Sequence, residues 1–428
     1  MKIVIMAGGK GTRITSVNSE VPKPMIPVLD KPILEYQIDC LREQGFTEII
    51  LVIGHLGNII KNYFGDGSNI STNTGKPFNV HIKYIEEKEP LGTAGALYFL
   101  KDELTDDFLL LNGDIIFDIN IHRFYKFHKD KGGVATLFTH PNSHPYDSGI
   151  IECNNNGEVT NWLHKEDERL WYKNRVNAGI HMFSSKILDI FKELKKVDLD
   201  REVLKPLISS GSLFAYGSPE YVKDMGTPDR FYSVIEDIKR GKVKAKNLSY
   251  KQKAVFLDRD GTINKYISFL KNIDDFELIY GVADAIKKIN ESGYLTIVVT
   301  NQPMIARGEV SLEQLYEIHN KMETLLGQKW AYIDDIFFCP HHPAKGFEGE
   351  RLEYKIDCKC RKPKAGMILK ATEKYNIDLS KSWMVGDNEI DMKSGLNAGC
   401  NVALIGESDI YESYKNLTEF VDSIFKEI

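Results

Sequence analysis

Hydrophobic positions along the chain fall into short blocks separated by polar stretches of helical period. KIVIMA (2–7), EIILVIGH (48–55), VHIKYIEE (80–87), DFLLLNGD (107–114) and VATLFTH (134–140) are runs of Ile, Val, Leu and Phe of strand length. Between them ILEYQIDCLREQG (33–45) and TAGALYFLKDEL (93–104) carry helical spacing. The pattern continues through SGIIECN (148–154), NAGIHMFSS (177–185) and LFAYGS (213–218) to a helix over TPDRFYSVIEDIKRG (227–241). Alternation of this kind predicts a mainly parallel sheet with helices on both faces.

KRGKVKAKNLSYKQK (239–253) interrupts the pattern; it is basic, poor in large apolar residues, and predicts a solvated linker. A second alternation follows. AVFLD (254–258), LTIVVTN (295–301), DIFFCP (335–340), SWMVGDN (382–388) and NVALIG (401–406) are strand candidates. GVADAIKKINESG (281–293), SLEQLYEIHNKMETLLG (311–327), AGMILKATEKYN (365–376) and MKSGLNAG (392–399) are helix candidates. The fold class predicted is α/β, with two Rossmann-like domains of mainly parallel sheets. They span residues 1–236 and 253–428, joined by a basic linker over 237–252.

Composition changes little in this picture. A chain of 428 residues is long for one core. A net charge of −6 argues against a global nucleic-acid field, and the linker has no aromatic platform behind it. No apolar stretch reaches the roughly 20 residues of a membrane span. The opening MKIVIMAGG reads as a first buried strand rather than a signal segment, so a cytoplasmic location is the default expectation. Of six cysteines, Cys40, Cys153 and Cys400 are isolated, whereas Cys339, Cys358 and Cys360 gather near histidines. In a cytosolic chain that grouping favours a metal over disulfides.

The chemistry-bearing residues cluster at the ends of the predicted strands. Gly8, Gly9 and Gly11 follow the first strand, with Lys10 and Arg13 beside them. Such a turn lets successive N–H groups face an anion, with positive charge at hand. VPKPMIPVLDKP (21–32) sets Lys23 between two prolines, and EPLGTAGAL (89–97) offers a small-residue turn for close backbone contact with a flat base. LLLNGD ends a buried strand in Asp114, and YVKDMGTPDR (221–230) presents Asp224 before a Gly-Thr turn. Two such aspartates could share Mg²⁺.

Taken in order, AGGKGTR, PKPMIPVLDKP, PLGTAGAL, NGD, NAGI and DMGTPD resemble the sugar-1-phosphate nucleotidylyltransferases over residues 1 to about 235. The resemblance implies that Gly8, Gly9, Gly11 and Arg13 surround a triphosphate and that Lys23 contacts phosphate. It implies Gly92 and Thr93 beside the base, Lys165, Asn177 and Gly179 facing a sugar phosphate, and Asp114 and Asp224 on Mg²⁺. Many relatives carry Glu-Lys-Pro near the sugar; here the stretch is LHKED (163–167).

In VFLDRDGTIN (255–264), Asp258 ends a strand and Asp260 stands two residues on, on the same side of an extended chain. One carboxylate can attack phosphorus, the other can protonate the leaving oxygen and then activate water, and a cation is needed beside them. Thr300, Arg361 with Lys362, and Asp387 with Asp391 four positions later end further predicted strands or loops. Cys339 and His341, then Cys358 and Cys360, form two Cys/His-x-Cys/His pairs. Four protein ligands would close a tetrahedral, structural zinc site that pins the loop bearing Arg361 and Lys362. His342 is the spare.

These motifs resemble the haloacid-dehalogenase-like phosphatases from residue 253 to about 415. Within them they resemble the branch holding the D-glycero-D-manno-heptose 1,7-bisphosphate 7-phosphatases and histidinol-phosphatases. The resemblance implies Asp258 as nucleophile and Asp260 as general acid/base, with Thr300, Arg307, Arg361 and Lys362 on the sugar phosphate. It places Asp258, the backbone of Asp260, and Asp387 on Mg²⁺. The branch usually has Ser-Gly where this chain has Pro303 and Met304, which removes a backbone donor and adds bulk. Fused, the two resemblances imply consecutive steps. The 7-phosphate leaves heptose 1,7-bisphosphate, and the heptose 1-phosphate receives a nucleotidyl group, taken as GMP from GTP. The alternatives are another base or sugar, or a phosphatase half serving as an inactive scaffold. Small-molecule substrates are thus expected, without nucleic acid or membrane, and the oligomeric state stays open.

Overall fold

The protein was analysed as a computed structural model, which describes residues 1–9 and 20–425. The chain divides into two units. The first comprises Met1–His140, Ile151–Trp162 and Asn177–Asn247; the second comprises Pro141–Ile150, Leu163–Val176 and Leu248–Ile428.

In the first unit the strands are β1 (Lys2–Met6), β2 (Glu48–Ile53), β3 (His81–Glu86), β4 (Phe108–Asn112), β5 (Ile115–Asp118), β6 (Ala135–His140), β7 (Ile150–Cys153), β8 (Val159–Leu163), β9 (Val176–Phe183), β10 (Leu213–Gly217) and β11 (Tyr221–Asp224). The large sheet runs β8-β7-β9-β4-β1-β2-β3, with β6 pairing both β9 and β10. β1 lies parallel between β2 and β4, whereas β9 is antiparallel to β4. Val4 and Ile5 of β1 are fully buried because the central strand is covered on both faces, which is why its block reads as a continuous apolar run. One core layer holds Ile3, Ile5, Leu51 and Leu111; the other holds Val4, Ile50, Val52 and Leu110. Among the helices are α1 (Ile33–Glu43), α2 (Gly57–Phe64), α3 (Ile121–Lys131) and α4 (Pro228–Lys239).

TAGALYFLKDEL departs from expectation: only Gly95–Leu100 is helical, as a tight 3₁₀ segment. Thr93 and Ala94 donate to the Val197 carbonyl, and Gly95 passes close beneath Lys195. These contacts pin the start of the segment to residues 195–197.

The second unit has β12 (Ala254–Leu257), β13 (Leu295–Asn301), β14 (Asp335–Cys339), β15 (Trp383–Gly386), β16 (Asn401–Ile405) and β17 (Ser413–Tyr414), in the order β14-β13-β12-β15-β16-β17. Every pair is parallel. The helices are α5 (Val282–Glu291), α6 (Leu312–Gly327), α7 (Gly366–Tyr375), α8 (Glu389–Ala398) and α9 (Leu417–Ile424). β12 sits centrally, so the ends of β12, β13 and β15 converge where the strand order reverses, the usual place for a ligand in such sheets.

The segments 141–150 and 163–176 belong to this unit through α6. Asn174 N donates to buried Glu323 Oε2 (2.7 Å), Tyr172 N to Thr324 Oγ1 (3.0 Å), and Arg175 Nη2 to the Asp334 carbonyl (2.7 Å). The expectation of a wholly solvated linker is corrected. Val243 lies in a core with Phe231 and Val234, and Leu248 lies in one with Ala254 and Phe256. Gln252 is buried and bridged to Ile377. The lysines hid this pattern, because their stems cover apolar surface while their heads reach water.

Candidate functional site

The first unit brings two of the expected residues, Asp114 and Asp224, onto one short ribbon and a third, Lys23, against them. Gly113 follows β4, and its N–H donates to Met6 O (3.0 Å), which turns the chain so that Asp114 precedes β5. β5 pairs antiparallel with β11, opposing Ile115 and Asp224, and Met225 N donates to Asp114 O (2.9 Å). Asp114 and Asp224 are therefore neighbours although 110 positions apart in sequence. Each holds a cation. Buried Lys23 pairs with Asp114 Oδ2, and Arg230 Nη1 lies 2.9 Å from both oxygens of Asp224. Burial raises the Asp224 carboxyl, but Arg230, the Gly226 N–H and Lys23 outweigh it and hold it below the ordinary range. Gln37 from α1, which sequence reasoning did not single out, steadies the turn by donating to the carbonyls of Asn112 and Ile115 (2.9 and 2.8 Å).

Gly179 lies against Asn112, where a Cβ would come within 2.4 Å of the amide nitrogen, and its positive φ of 71° suits glycine. Asn177 Oδ1 accepts from Gly179 N and faces His181 Nε2 (3.1 Å). The Thr93 hydroxyl already accepts from Leu199 N (2.7 Å), and Gly92 is bridged to Val197. Gly8 sits beside Glu87, whose carboxyl is pushed up by burial. Gly9 is exposed. Gly11 and Arg13, with Lys10, lie outside the described residues. Lys165 falls in the second unit. There it lines a cavity of about 430 Å³ with Tyr146, Arg169, Tyr172, Gln328 and Trp330.

In the second unit the acidic residues meet at the strand ends. Asp258, Asp387 and Asp391 offer oxygens that all lie within 4.8 Å of one another. Lys362 Nζ sits 2.8 Å from Asp258 Oδ1 and 2.6 Å from Asp391 Oδ1 and is almost wholly buried. Burial raises the Asp258 carboxyl, with Lys362 opposing and Asp391 adding to the rise; Asp387 is raised to about 6, by burial first and then by Asp258. Three acids around one lysine leave negative charge in excess, which is what a divalent cation with oxygen ligands would neutralise. Gly261 makes the approach possible: its φ is 85°, and a Cβ there would stand 2.1 Å from Asp387 Oδ2. Asp391 was not among the expected site residues. Its signal was its place one helical turn after Asp387, and it also caps α8 by accepting from Asn388 N (3.1 Å).

Lys362 is placed from two sides. Asn301, at the end of β13, accepts from Lys362 N (3.0 Å) and donates to its carbonyl (3.1 Å). On the other side stand Cys339, His341, Cys358 and Cys360. Sγ–Sγ separations of 3.2–3.5 Å and Nδ1–Sγ separations of 3.3 and 3.7 Å suit a closed tetrahedron, whose edges at a Zn–S bond of about 2.3 Å are roughly 3.7 Å. All six cysteines are free, so the grouping is not a disulfide. Arg361 directly follows this cluster and donates to His341 O (3.3 Å). Arg307 is stacked between the rings of Phe269 and Phe347, 4.6 Å from each.

Buried Thr300 Oγ1 accepts from Gln302 Nε2 (3.0 Å). The bulk expected of Met304 is absorbed in a small core with Ile305, Val310 and Leu315, while Pro303 still offers no N–H.

The two units thus present a basic, paired-aspartate turn on one sheet and an acid–lysine cluster with a Cys/His clip on the other. Residues 2–241 match the nucleotidyl transferase family, and residues 359–414 match the HAD-hydrolase-like family. D-glycero-beta-D-manno-heptose-1,7-bisphosphate 7-phosphatase of Haemophilus influenzae is 44% identical over 146 residues, 34% of this chain and 77% of that protein. Probable mannose-1-phosphate guanylyltransferase 2 of Oryza sativa is 33% identical over 234 residues, 53% of this chain and 62% of that protein. UTP–glucose-1-phosphate uridylyltransferase of Synechocystis is 28% identical over 251 residues, 57% of this chain and 65% of that protein. The chain thus spans somewhat less than two thirds of the length of these two transferases. The chain belongs to the nucleotidyl transferase family over residues 2–241, and over 146 residues to the family of the heptose-bisphosphate phosphatases.

Proposed function

We propose that the chain carries out two consecutive reactions on one sugar. The second unit removes the 7-phosphate of D-glycero-D-manno-heptose 1,7-bisphosphate. The first unit transfers a nucleotidyl group, taken as GMP from GTP, to the remaining 1-phosphate and releases pyrophosphate. The observation that carries this reading is the Asp258–Lys362–Asp387–Asp391 cluster, beside a Cys/His clip, in a chain whose other half belongs to a family of nucleotidyl transferases.

In the phosphatase reaction an Asp258 oxygen attacks phosphorus and the sugar alkoxide leaves, taking a proton from Asp260. Water, relieved of a proton by Asp260, then splits the aspartyl-phosphate and frees inorganic phosphate and Asp258. Lys362, Arg361, Arg307 and the Thr300 hydroxyl neutralise and orient the phosphates. Asp258, Asp387 and Asp391 would hold Mg²⁺, which supplies charge neutralisation when bound. Zinc held by Cys339, His341, Cys358 and Cys360 would be structural, since four protein ligands leave no open position.

In the transfer reaction the sugar-phosphate oxygen attacks the α-phosphorus of the nucleotide. The chain's part is positioning: Gly8, Gly9, Gly11, Arg13 and Lys23 on phosphates, Gly92 and Thr93 at the base, Lys165, Asn177 and Gly179 at the sugar phosphate. Asp114 and Asp224 would hold Mg²⁺. A relative that is a uridylyltransferase favours UTP as the second reading. Offering the heptose bisphosphate and Mg²⁺ with each NTP separately, and following products by mass spectrometry, tests both steps. Phosphate plus GDP-heptose with GTP alone is expected. UDP-heptose would replace the base assignment, and phosphate without a nucleotide sugar would overturn the transfer step.

A further inference from the structure

Asp260 is held by more donors than the reaction above calls for. Arg259 is fully buried and reaches its neighbour's carboxyl with two nitrogens: Nε lies 3.2 Å from Oδ1, and Nη2 lies 2.9 and 2.8 Å from Oδ1 and Oδ2. Asn264 Nδ2 donates to Oδ1 and Gln302 Nε2 to Oδ2, each at 3.0 Å. The last Arg259 nitrogen, Nη1, faces His319 Nε2 at 3.2 Å. A guanidinium only donates, so Nε2 accepts and the ring proton resides on Nδ1. His319 is buried on α6, tilted against the Phe338 ring at 5.9 Å. One turn further along, α6 is anchored where Glu323 and Thr324 accept from Asn174 N and Tyr172 N.

We propose that Arg259 and His319 are positioning residues that fix the Asp260 carboxyl for proton exchange with the leaving oxygen, His319 acting by turning Arg259. The inference rests on the phosphatase reading. Its physical basis is satisfiability. A wholly buried guanidinium needs an acceptor for each edge. Asp260 takes one edge and His319 takes another. Without the imidazole acceptor, Nη1 is left unmet in the interior, and the fork turns toward another acceptor. Asp260 then loses its alignment while Asp258, Lys362 and Asp387 keep theirs.

The expected signature depends on the leaving group. An alkoxide needs a proton as it departs, whereas 4-nitrophenolate is stable without one. The full chain with Mg²⁺ is assayed on heptose 1,7-bisphosphate by steady-state phosphate release and on 4-nitrophenyl phosphate by the initial burst of nitrophenol. His319→Ala is expected to lower kcat on the alkyl ester by about 10-fold or more, with KM and the nitrophenol burst rate held within about twofold. His319→Gln, whose Oε1 can accept from Nη1, should recover most of the loss. Arg259→Lys, which keeps charge without the fork, should show the same selective loss and serves if His319→Ala fails to fold. Equal slowing of both esters with no recovery by Gln, or no change on either, overturns the proposal. Absence of phosphate release from both esters by the unaltered chain overturns the phosphatase reading beneath it.

Discussion

The two acidic sites of this chain handle charge in opposite ways. In the first unit each carboxylate has its own cation, and both stay accessible: the Asp114 and Asp224 side chains are 35% and 43% exposed. In the second unit three carboxylates crowd together and two of them, Asp258 and Asp391, share one lysine; Asp391 and Lys362 are essentially excluded from solvent. The difference follows from what each must admit. On the proposed function, a site that takes a nucleotide and a sugar phosphate stays open, and its carboxylates would exchange a lysine or arginine for a metal and phosphates. On that reading the phosphoryl site buries Asp391 and Lys362 while Asp258 and Asp387 stay half-buried, and a cation would relieve its excess negative charge.

The sharpest way to separate the two is to remove one carboxylate from each. Asp258→Asn should abolish phosphate release, by on the order of 10⁴-fold or more, and leave nucleotidyl transfer to supplied heptose 1-phosphate intact. Asp114→Ala should cut nucleotidyl transfer by on the order of 10²–10³-fold and spare phosphate release. Loss of both activities in either variant, read by parallel product assays, would break the idea of two independent sites.

The Cys/His clip belongs to only one side of the comparison. Cys358→Ser should lower the zinc content measured by elemental analysis and destabilise the second unit by on the order of several kcal/mol. Phosphatase activity should fall through the loop bearing Arg361 and Lys362, with nucleotidyl transfer kept. Gly261→Ala tests the close approach to Asp387 more finely. The positive φ alone costs about 1–2 kcal/mol, and displacing Asp387 should lower phosphate release by roughly 10²-fold.

The smallest effect is in pH and stability. Asp387 titrates near 6 in the fold and 3.8 outside it, so below both values it contributes no difference. As pH rises past the unfolded value, the unfolded chain loses its proton first, and the metal-free fold is progressively disfavoured until the folded group ionises. Mg²⁺ should therefore raise the melting temperature by more at about pH 7.5 than at about pH 5. Asp387→Asn should reduce that difference, with the raised Asp258 keeping part of it, whereas Asp224→Asn, at a carboxyl already held low by Arg230, should change it little. Equal Mg²⁺ stabilisation at both pH values would erase the contrast between the sites.

How much of this was legible depended on whether a residue acts through its neighbours in sequence. The central strands β1 and β12 were visible as apolar runs because burial on both faces leaves no polar alternation. Asp258, Asp260 and the two Cys/His pairs were visible because their spacing is local. The helix expected over 93–104 is found only over Gly95–Leu100, and its start is held by Val197, a hundred positions away. Gln37 and His319 carry no motif and are recognised only by the atom each touches; Asn264 lies within VFLDRDGTIN and Gln302 directly after Asn301, but their part beside Asp260 shows only in the contact.

By itself, then, the sequence determined two α/β sheets, the chemical type of each strand-end loop and the two Cys/His pairs, because these rest on local period and on residue chemistry. Tertiary structure alone decided that segments 141–150 and 163–176 join the second unit. It also decided that His319 stands behind Arg259 and Asp260. Those outcomes depend on hydrogen bonds and ion pairs between residues far apart in the chain. A buried donor takes whatever acceptor the packed fold brings within reach, and no spacing along the sequence encodes which one that is.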